Sequence, residues 1–154
     1  DVDNFNTDQM FAGKYTYNVL SSDPESILPH LFEDFDPLFS REAAKGDIII
    51  AGENFGCGSS REHPSVGLAF LGIQAVVVKS VNRIFYRSAI NQGLMVIVHR
   101  EAVEAYRWGD DVEVNPEYGE IKIAGKIFRF EPLPASLRTI IEMKGLVNYI
   151  KQKD

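Results

Sequence analysis

The stretch DIIIAGENFGCGSSREHPSVGLAFLGIQAVVVKSVNRIFYRSAINQGLMVIVH, residues 47–99, decides the fold. It holds three short apolar runs, DIIIAGENF (47–55), IQAVVVKS (73–80) and LMVIVH (94–99). Runs of that length, rich in Ile and Val, read as buried strands. Between the first two lies HPSVGLAFLG, whose spacing predicts a helix with Val66, Ala69 and Phe70 inward and Gly72 as its stop. Between the second and third, VNRIFYRSAINQG predicts another helix, closed by Gly93. Strand, loop, helix, strand, helix, strand implies a mostly parallel sheet, covered on both faces and joined by right-handed crossovers.

On the N-terminal side, residues 1–20 open polar and Asn-rich, turn aromatic, and show no clear period. SSDPESILPHLFEDF predicts a helix capped by Ser22 or Asp23, with Pro24 in its first turn and Ile27, Leu28, Leu31 and Phe32 on one face. Pro29 makes that helix short or bent. DPLFSREAAKG reads as a turn and a short helix ended by Gly46. On the C-terminal side, REAVEAYRWG is a short helix. DDVEVNPEYGEIKIAGKIFRFEPLP alternates in runs split by NPEYG and AG, as antiparallel hairpins do. ASLRTIIEMKGLVNYIKQKD predicts a helical tail, with Leu137, Ile140, Ile141, Leu146, Val147 and Ile150 in period and a break at Gly145. The fold class is α/β: a mostly parallel central sheet flanked by helices, then hairpins and a helical tail, in one domain over residues 1–154.

Composition bounds the function. The 154 residues, 45% hydrophobic and 25% charged, suit one globular domain rather than a disordered chain. Lys and Arg number 16 against 22 Asp and Glu, a formal net charge of −6, and no basic run argues for a nucleic-acid partner. No apolar stretch reaches about 18 residues, so no transmembrane helix is expected. The opening residues do not read as a signal peptide. Cys57 is the sole cysteine, which excludes an internal disulfide and, by itself, a zinc site or an iron–sulfur cluster. One thiol without a disulfide fits a reducing, cytoplasmic setting.

The loop ENFGCGSSREHP, residues 53–64, follows the first strand and precedes a helix. That is where α/β sheets bind ligands. Gly56 and Gly58 admit close backbone approach, the helix start offers N–H groups, and Arg61 carries a planar fork suited to a carboxylate or phosphate. The local chemistry favours an anion. A plainer reading is a turn in which Ser59 or Ser60 caps the helix and Arg61 pairs with Glu53 or Glu62. The run lacks the spacing of a nucleophile elbow, of a dinucleotide fingerprint and of a P-loop. His63 is either a base near Cys57 or Ser59, or a residue at a helix start or interface. His30 and His99 read as structural, and Cys57 as a packing or cluster-facing residue without an evident activator.

GENFGCGSSREHP resembles the signature of the small subunits of the aconitase superfamily, most closely those of the isopropylmalate dehydratases. DNFNTDQ (3–9) is similar to that family's Asp-x-x-Asn-Thr-Asp start, and LGIQAVVVKSVNRIFYRSAINQGLMVI (71–97) to its second block. The three stretches stand in the family's order and cover about a third of the chain. The resemblance implies a swivelling β/β/α domain and a hydro-lyase. The reaction would dehydrate and rehydrate a hydroxy di- or tricarboxylate, moving its hydroxyl to the neighbouring carbon. In this branch that interconverts 2- and 3-isopropylmalate, a step of leucine biosynthesis. The resemblance also implies a large-subunit partner holding a [4Fe–4S] cluster on three cysteines of its own, with no cofactor or metal bound by this chain alone.

Carried over by position, Ser59 is implied as the base, and Ser60 and Arg61 as ligands of a substrate carboxylate. Asp8 is implied as site support, orienting backbone or Arg61, or else caps a turn; Cys57 is a second supporting candidate. Lys14, Tyr15, Thr16, Tyr17, Asn18, Val19 and Leu20 fall where relatives carry a loop that recognises the substrate's variable group. Here the chain departs from the pattern: Phe11 stands in place of a proline and Lys14 in place of an arginine. Tyr15, Tyr17, Val19 and Leu20 either line an apolar pocket for an isopropyl group or pack against the sheet, and Lys14 is an alternative holder for a second carboxylate. Rival readings are the small subunit of homoaconitase or of another substituted-malate dehydratase, and a non-catalytic module for a small acid or a protein partner. The stoichiometry of a complex, and self-association of the isolated chain, stay open.

Overall fold

The computed structural model describes residues 2–153. In chain order its elements are α1 (Thr7–Met10), α2 (Pro24–Ile27), α3 (Phe39–Glu42), β1 (Ile48–Ala51), α4 (His63–Leu71), β2 (Ala75–Val78), α5 (Arg83–Asn91) and β3 (Met95–Val98). There follow α6 (Arg100–Ala105), β4 (Val112–Asn115), β5 (Glu120–Ile123), β6 (Lys126–Arg129), α7 (Ala135–Glu142) and α8 (Leu146–Lys151). Strands β1, β2 and β3 form a parallel sheet in that order, with Ile48, Ala75 and Met95 level at one end and Ala51, Val78 and Val98 at the other. Strands β4, β5 and β6 form a separate antiparallel sheet.

The central strand β2 is buried along its whole length, which is why it reads AVVV without alternation. Its side chains serve two cores. Val76 and Val78 pack with Ala51, Val96, Leu68, Phe85 and Ala89, so α4 and α5 cover this face. Ala75 and Val77 pack with Met95, Ile97, Ala102, Val103, Ile121, Ile123 and Phe128. The second face is therefore covered by α6 and the antiparallel sheet, not by helices alone. His99 joins those two covers. Its Nδ1 accepts the Ala102 N–H (3.1 Å) at the start of α6, while its Nε2–H donates to the Arg129 carbonyl (3.0 Å) on β6.

Local chemistry accounts for several boundaries. Helix α2 stops at Ile27 and continues only as a 3₁₀ turn over Leu28–His30, the break that Pro29 implies. The AG turn between β5 and β6 has Ala124 at φ 47° and Gly125 at φ 84°, the left-handed pair of a type I′ hairpin. Helices α7 and α8 are split where Lys144 and Gly145 take φ 58° and 118°. Val147 and Ile150 of the tail's apolar set face solvent.

Three expectations need correction. Phe70 is 49% exposed, and α4 instead turns Gly67 and Leu68 inward. The reason is close packing: a Cβ on Gly67 would lie 2.7 Å from Ile27 and 2.9 Å from Leu31, so the smallest residue sits where α4 meets α2 and the turn after it. Strand β1 ends at Ala51 rather than near Phe55, because from Gly52 onward the backbone pairs with the N-terminal segment. The helix of residues 39–42 closes at Ala43, short of Gly46. Among the described residues, no helix is long and apolar enough to cross a membrane.

Candidate active site

The loop after β1 is held between two other segments. On one side, Gly52 N–H donates to Val2 O, Asn4 N–H to Glu53 O, Gly56 N–H to Phe5 O and Thr7 N–H to Cys57 O, at 2.8–3.1 Å. On the other, Phe55 N–H donates to Ser80 O (3.0 Å) and Asn82 N–H to Phe55 O (2.8 Å). Aromatic rings underpin it: Phe5 stacks on Phe32 and Phe55, and Phe55 meets Phe85 edge-on. Gly56 has φ 74°, and a Cβ there would lie 2.3 Å from Phe85, so only glycine lets the loop press on that ring. The N-terminal segment thus reaches the site through backbone pairing, which leaves no periodic trace in sequence.

At the loop's apex the side chains converge. Ser59 and Ser60 are exposed at the carboxyl end of the parallel sheet. Arg61, its side chain only 15% exposed, is the hub. Its Nε–H donates to Ser59 Oγ (2.7 Å), one Nη to Thr16 Oγ1 (3.0 Å), and the other pairs with the Asp8 carboxylate. Asp8 stands in the first turn of α1, whose capping box is made by Asn6 and Gln9, each accepting the other's backbone N–H. So Asn6, not Asp8, is the cap, and Asp8 is free to face Arg61. Neither loop serine caps α4, whose N-cap residue, Glu62, makes no side-chain capping bond. Glu53 and Glu62 are not the partners of Arg61.

Thr7 is a site neighbour that the residue-level reading did not single out. It is 2% exposed, with its hydroxyl 3.1 Å from the Ser59 carbonyl and 3.3 Å from Ser59 Oγ. Its position inside the Asn-Thr-Asp run was the available signal. Cys57 is half-buried, and its Sγ–H is directed at the Asn4 carbonyl (3.5 Å) rather than at Ser59. An iron–sulfur cluster asks for several thiolates. Cys57 is the chain's one thiol, and no three His, Cys, Asp or Glu gather among the described residues. This chain's donor set does not fit a cluster.

The segment 14–20 splits into inward and outward residues. Val19 is buried and Tyr15 is half-buried, stacked on His30 at 3.8 Å between centroids. Tyr17 is 93% exposed, and Asn18 and Leu20 also face solvent. Lys14 contacts Asp34 (3.5 Å) and lies over the Tyr15 ring. Hydrogen bonding to Glu33 raises the Tyr15 phenol above its ordinary pKa, and the same bond, helped by His30, holds the Glu33 carboxyl below its own. His63 is buried against Phe11, and its Nε2 lies 2.8 Å from the Val19 carbonyl, so it touches neither Cys57 nor Ser59 through that atom. His30 pairs with Glu33.

A second polar group spans the ends of all three parallel strands. Glu53, after β1, accepts from Ser80 Oγ (2.9 Å), after β2, and pairs with Arg100, after β3. The Ser80 bond, then Arg100, holds the Glu53 carboxyl below its usual range.

Comparison with known proteins places the chain. Residues 2–102 match the family model described as the aconitase C-terminal domain. The 3-isopropylmalate dehydratase small subunit 1 of Archaeoglobus fulgidus is 44% identical over 151 residues, covering 97% of this chain and 91% of that protein. The 3-isopropylmalate dehydratase small subunit of Aquifex aeolicus is 42% identical over 154 residues, with 98% and 90% covered. A crystal structure of 3-isopropylmalate dehydratase (leuD) from Methanocaldococcus jannaschii superposes with a TM-score of 0.86 at 38% identity, over 98% of this chain and 89% of that one. With half the chain or more under the family model and relatives of this identity along nearly its full length, the chain belongs to the aconitase C-terminal-domain family, in its branch of 3-isopropylmalate dehydratase small subunits.

Proposed function

We propose that the chain is the small subunit of a two-subunit hydro-lyase that interconverts 2- and 3-isopropylmalate, and that it supplies the base and a carboxylate grip. The observation that carries this is the Arg61 Nε–H placed 2.7 Å from the exposed Ser59 Oγ. A serine hydroxyl is a weak base unless a neighbour activates it. A fixed guanidinium donor favours the alkoxide, and its charge needs no reorganisation when the proton moves.

Ser59 Oγ takes the proton from the carbon beside a substrate carboxylate. The C–H electron pair becomes the new double bond as the hydroxyl leaves the adjacent carbon with its own bonding pair and, once protonated, departs as water; the partner's cluster would supply the Lewis acid for that departure. On rehydration water adds to the carbon that lost the proton, and Ser59 delivers its proton to the carbon that lost the hydroxyl. Thr7 supports both states: its hydroxyl can accept from Ser59 O–H and, after a turn about its own C–O bond, donate to the alkoxide. Of the five N–H groups of an arginine, three in Arg61 have named partners, leaving two to meet a carboxylate beside Ser60. The 14–20 loop, tied to Arg61 by Thr16, presents Tyr17 and Leu20 as apolar surface for the isopropyl branch. The cluster belongs on a large subunit that closes over this open half-site.

The test is reconstitution with the cognate large subunit under anaerobic conditions, assayed on isopropylmalate, citrate, homocitrate and methylated malates. Preferred turnover of isopropylmalate is expected only when both chains are present. Turnover by this chain alone, or preference for homocitrate, overturns the proposal. In the complex, Ser59→Ala is expected to lower kcat by about 100- to 10,000-fold, the usual worth of a general base, with KM nearly unchanged. Unaltered kcat removes Ser59 from the role.

A further inference from the structure

We infer that His63 is a positioning residue: its Nε2–H latches the 14–20 loop, through the Val19 carbonyl, to the chain segment that carries Ser59 and Arg61. The inference rests on the proposed reading of that loop as the part that meets the substrate's side group.

The atoms assign the direction of the bond. His63 Nε2 lies 2.8 Å from Val19 O. A carbonyl oxygen only accepts, so Nε2 carries the proton. The ring is held flat against Phe11, with centroids 4.7 Å apart and planes 10° from parallel. His63 is 7% exposed, and its Nδ1 is enclosed without a partner among the described residues. A buried nitrogen left unpaired costs free energy. An apolar ring would pack here without that cost. What the imidazole adds over such a ring is the one donor, and that donor is spent on the loop.

A second tie reaches the same loop from the same place. Arg61 donates to Thr16 Oγ1 at 3.0 Å. Arg61 and His63 thus grip the loop at Thr16 and Val19, on either side of Tyr17 and Asn18. Between the two grips Tyr17 is 93% exposed, so the tip stands in solvent while its ends are fixed. The loop's resting shape and the direction of Arg61 are set together, before any substrate arrives. Pre-positioning of this kind spares the ordering cost of binding.

His63→Leu, His63→Gln and Thr16→Val separate the outcomes. Glutamine keeps an N–H donor; leucine does not. Amide hydrogen exchange over residues 15–20 of the full chain reads the latch without turnover. Exchange is expected to quicken about fivefold to tenfold in His63→Leu, the worth of one hydrogen bond, and to return towards wild type in His63→Gln. In the complex with the large subunit, His63→Leu is expected to raise KM for isopropylmalate about fivefold to tenfold. It should leave the inhibition constant of unbranched malate within about twofold, since malate offers no side group to the loop. Equal loss for both molecules, or faster exchange with unchanged KM, overturns the inference. If His63→Leu does not fold, Thr16→Val decides, because it removes the other tie from a loop and leaves the core intact: a selective rise in KM supports the latch, and none overturns it. A wild-type complex that does not turn over isopropylmalate sinks the functional reading, while the exchange measurement still decides the latch.

Discussion

Arg61 carries three duties on one guanidinium, and geometry explains why lysine cannot replace it. Its Nε–H meets Ser59 Oγ at 2.7 Å, while its two Nη atoms hold Thr16 and Asp8. These partners lie in different directions, as the planar fork requires, whereas an ammonium is a point charge on a flexible stem. Arg61→Lys in the reconstituted complex is therefore expected to lower kcat and raise KM together, each by about tenfold or more, because a charge-assisted hydrogen bond is worth about 1.5–3 kcal/mol. Steady-state kinetics check this, and a change in KM alone would separate Arg61 from the activation of Ser59. On the proposed reading, Asp8, which pairs with Arg61, acts through it as its backing charge.

The elements around the site are short, and packing rather than propensity decides how they sit. Helix α4 spans nine residues and presents Gly67 to α2 and to Leu31. In an exposed helix Gly67→Ala would gain about 1 kcal/mol from propensity. Here the added methyl would press within 2.7 Å of Ile27, so overpacking of about 1–3 kcal/mol wins and the variant is expected to be less stable than wild type. Chemical denaturation measures the sign directly. The loop is affected too, because Ile27 and Leu31 belong to the core that also holds Val19 and Phe11.

Across the whole molecule, Glu53 fastens the mouth of the parallel sheet by joining the chain after β1 to Ser80 after β2 and Arg100 after β3. Its carboxyl is held below its ordinary pKa by the Ser80 hydrogen bond and by Arg100. A depressed folded-state pKa stabilises the native state above the unfolded value and loses that contribution as pH falls through the lower, folded one. Glu53→Gln is therefore expected to be less stable than wild type at neutral pH, with the gap closing in acid as the pH falls through the lowered folded-state pKa, where the wild-type carboxyl also becomes neutral. Denaturation midpoints at the two pH values check this, and a gap that persists in acid would assign the effect to shape rather than charge. Ser59 and Ser60 lie exposed at the same end of the sheet.

The sequence by itself determined the order of strands and helices between residues 47 and 99, the antiparallel hairpins and the broken tail. Each rests on local terms: apolar run length, Pro and Gly at turns, and period. The placing of Ser59, Ser60 and Arg61 together at a strand end was equally legible, because loop, strand end and residue types lie within one short run. Tertiary structure alone decided which face of α4 is buried, since Phe70 turns outward only because Gly67 must meet Ile27. It also decided that residues 2–7 pair with the loop and that Thr7 and Thr16 converge on it beside Asp8, whose place the family resemblance had implied, through backbone hydrogen bonds and contacts between residues about 45–53 positions apart. Backbone pairing is blind to side-chain pattern, and long-range contact leaves no period, so neither is written in any local stretch of the chain.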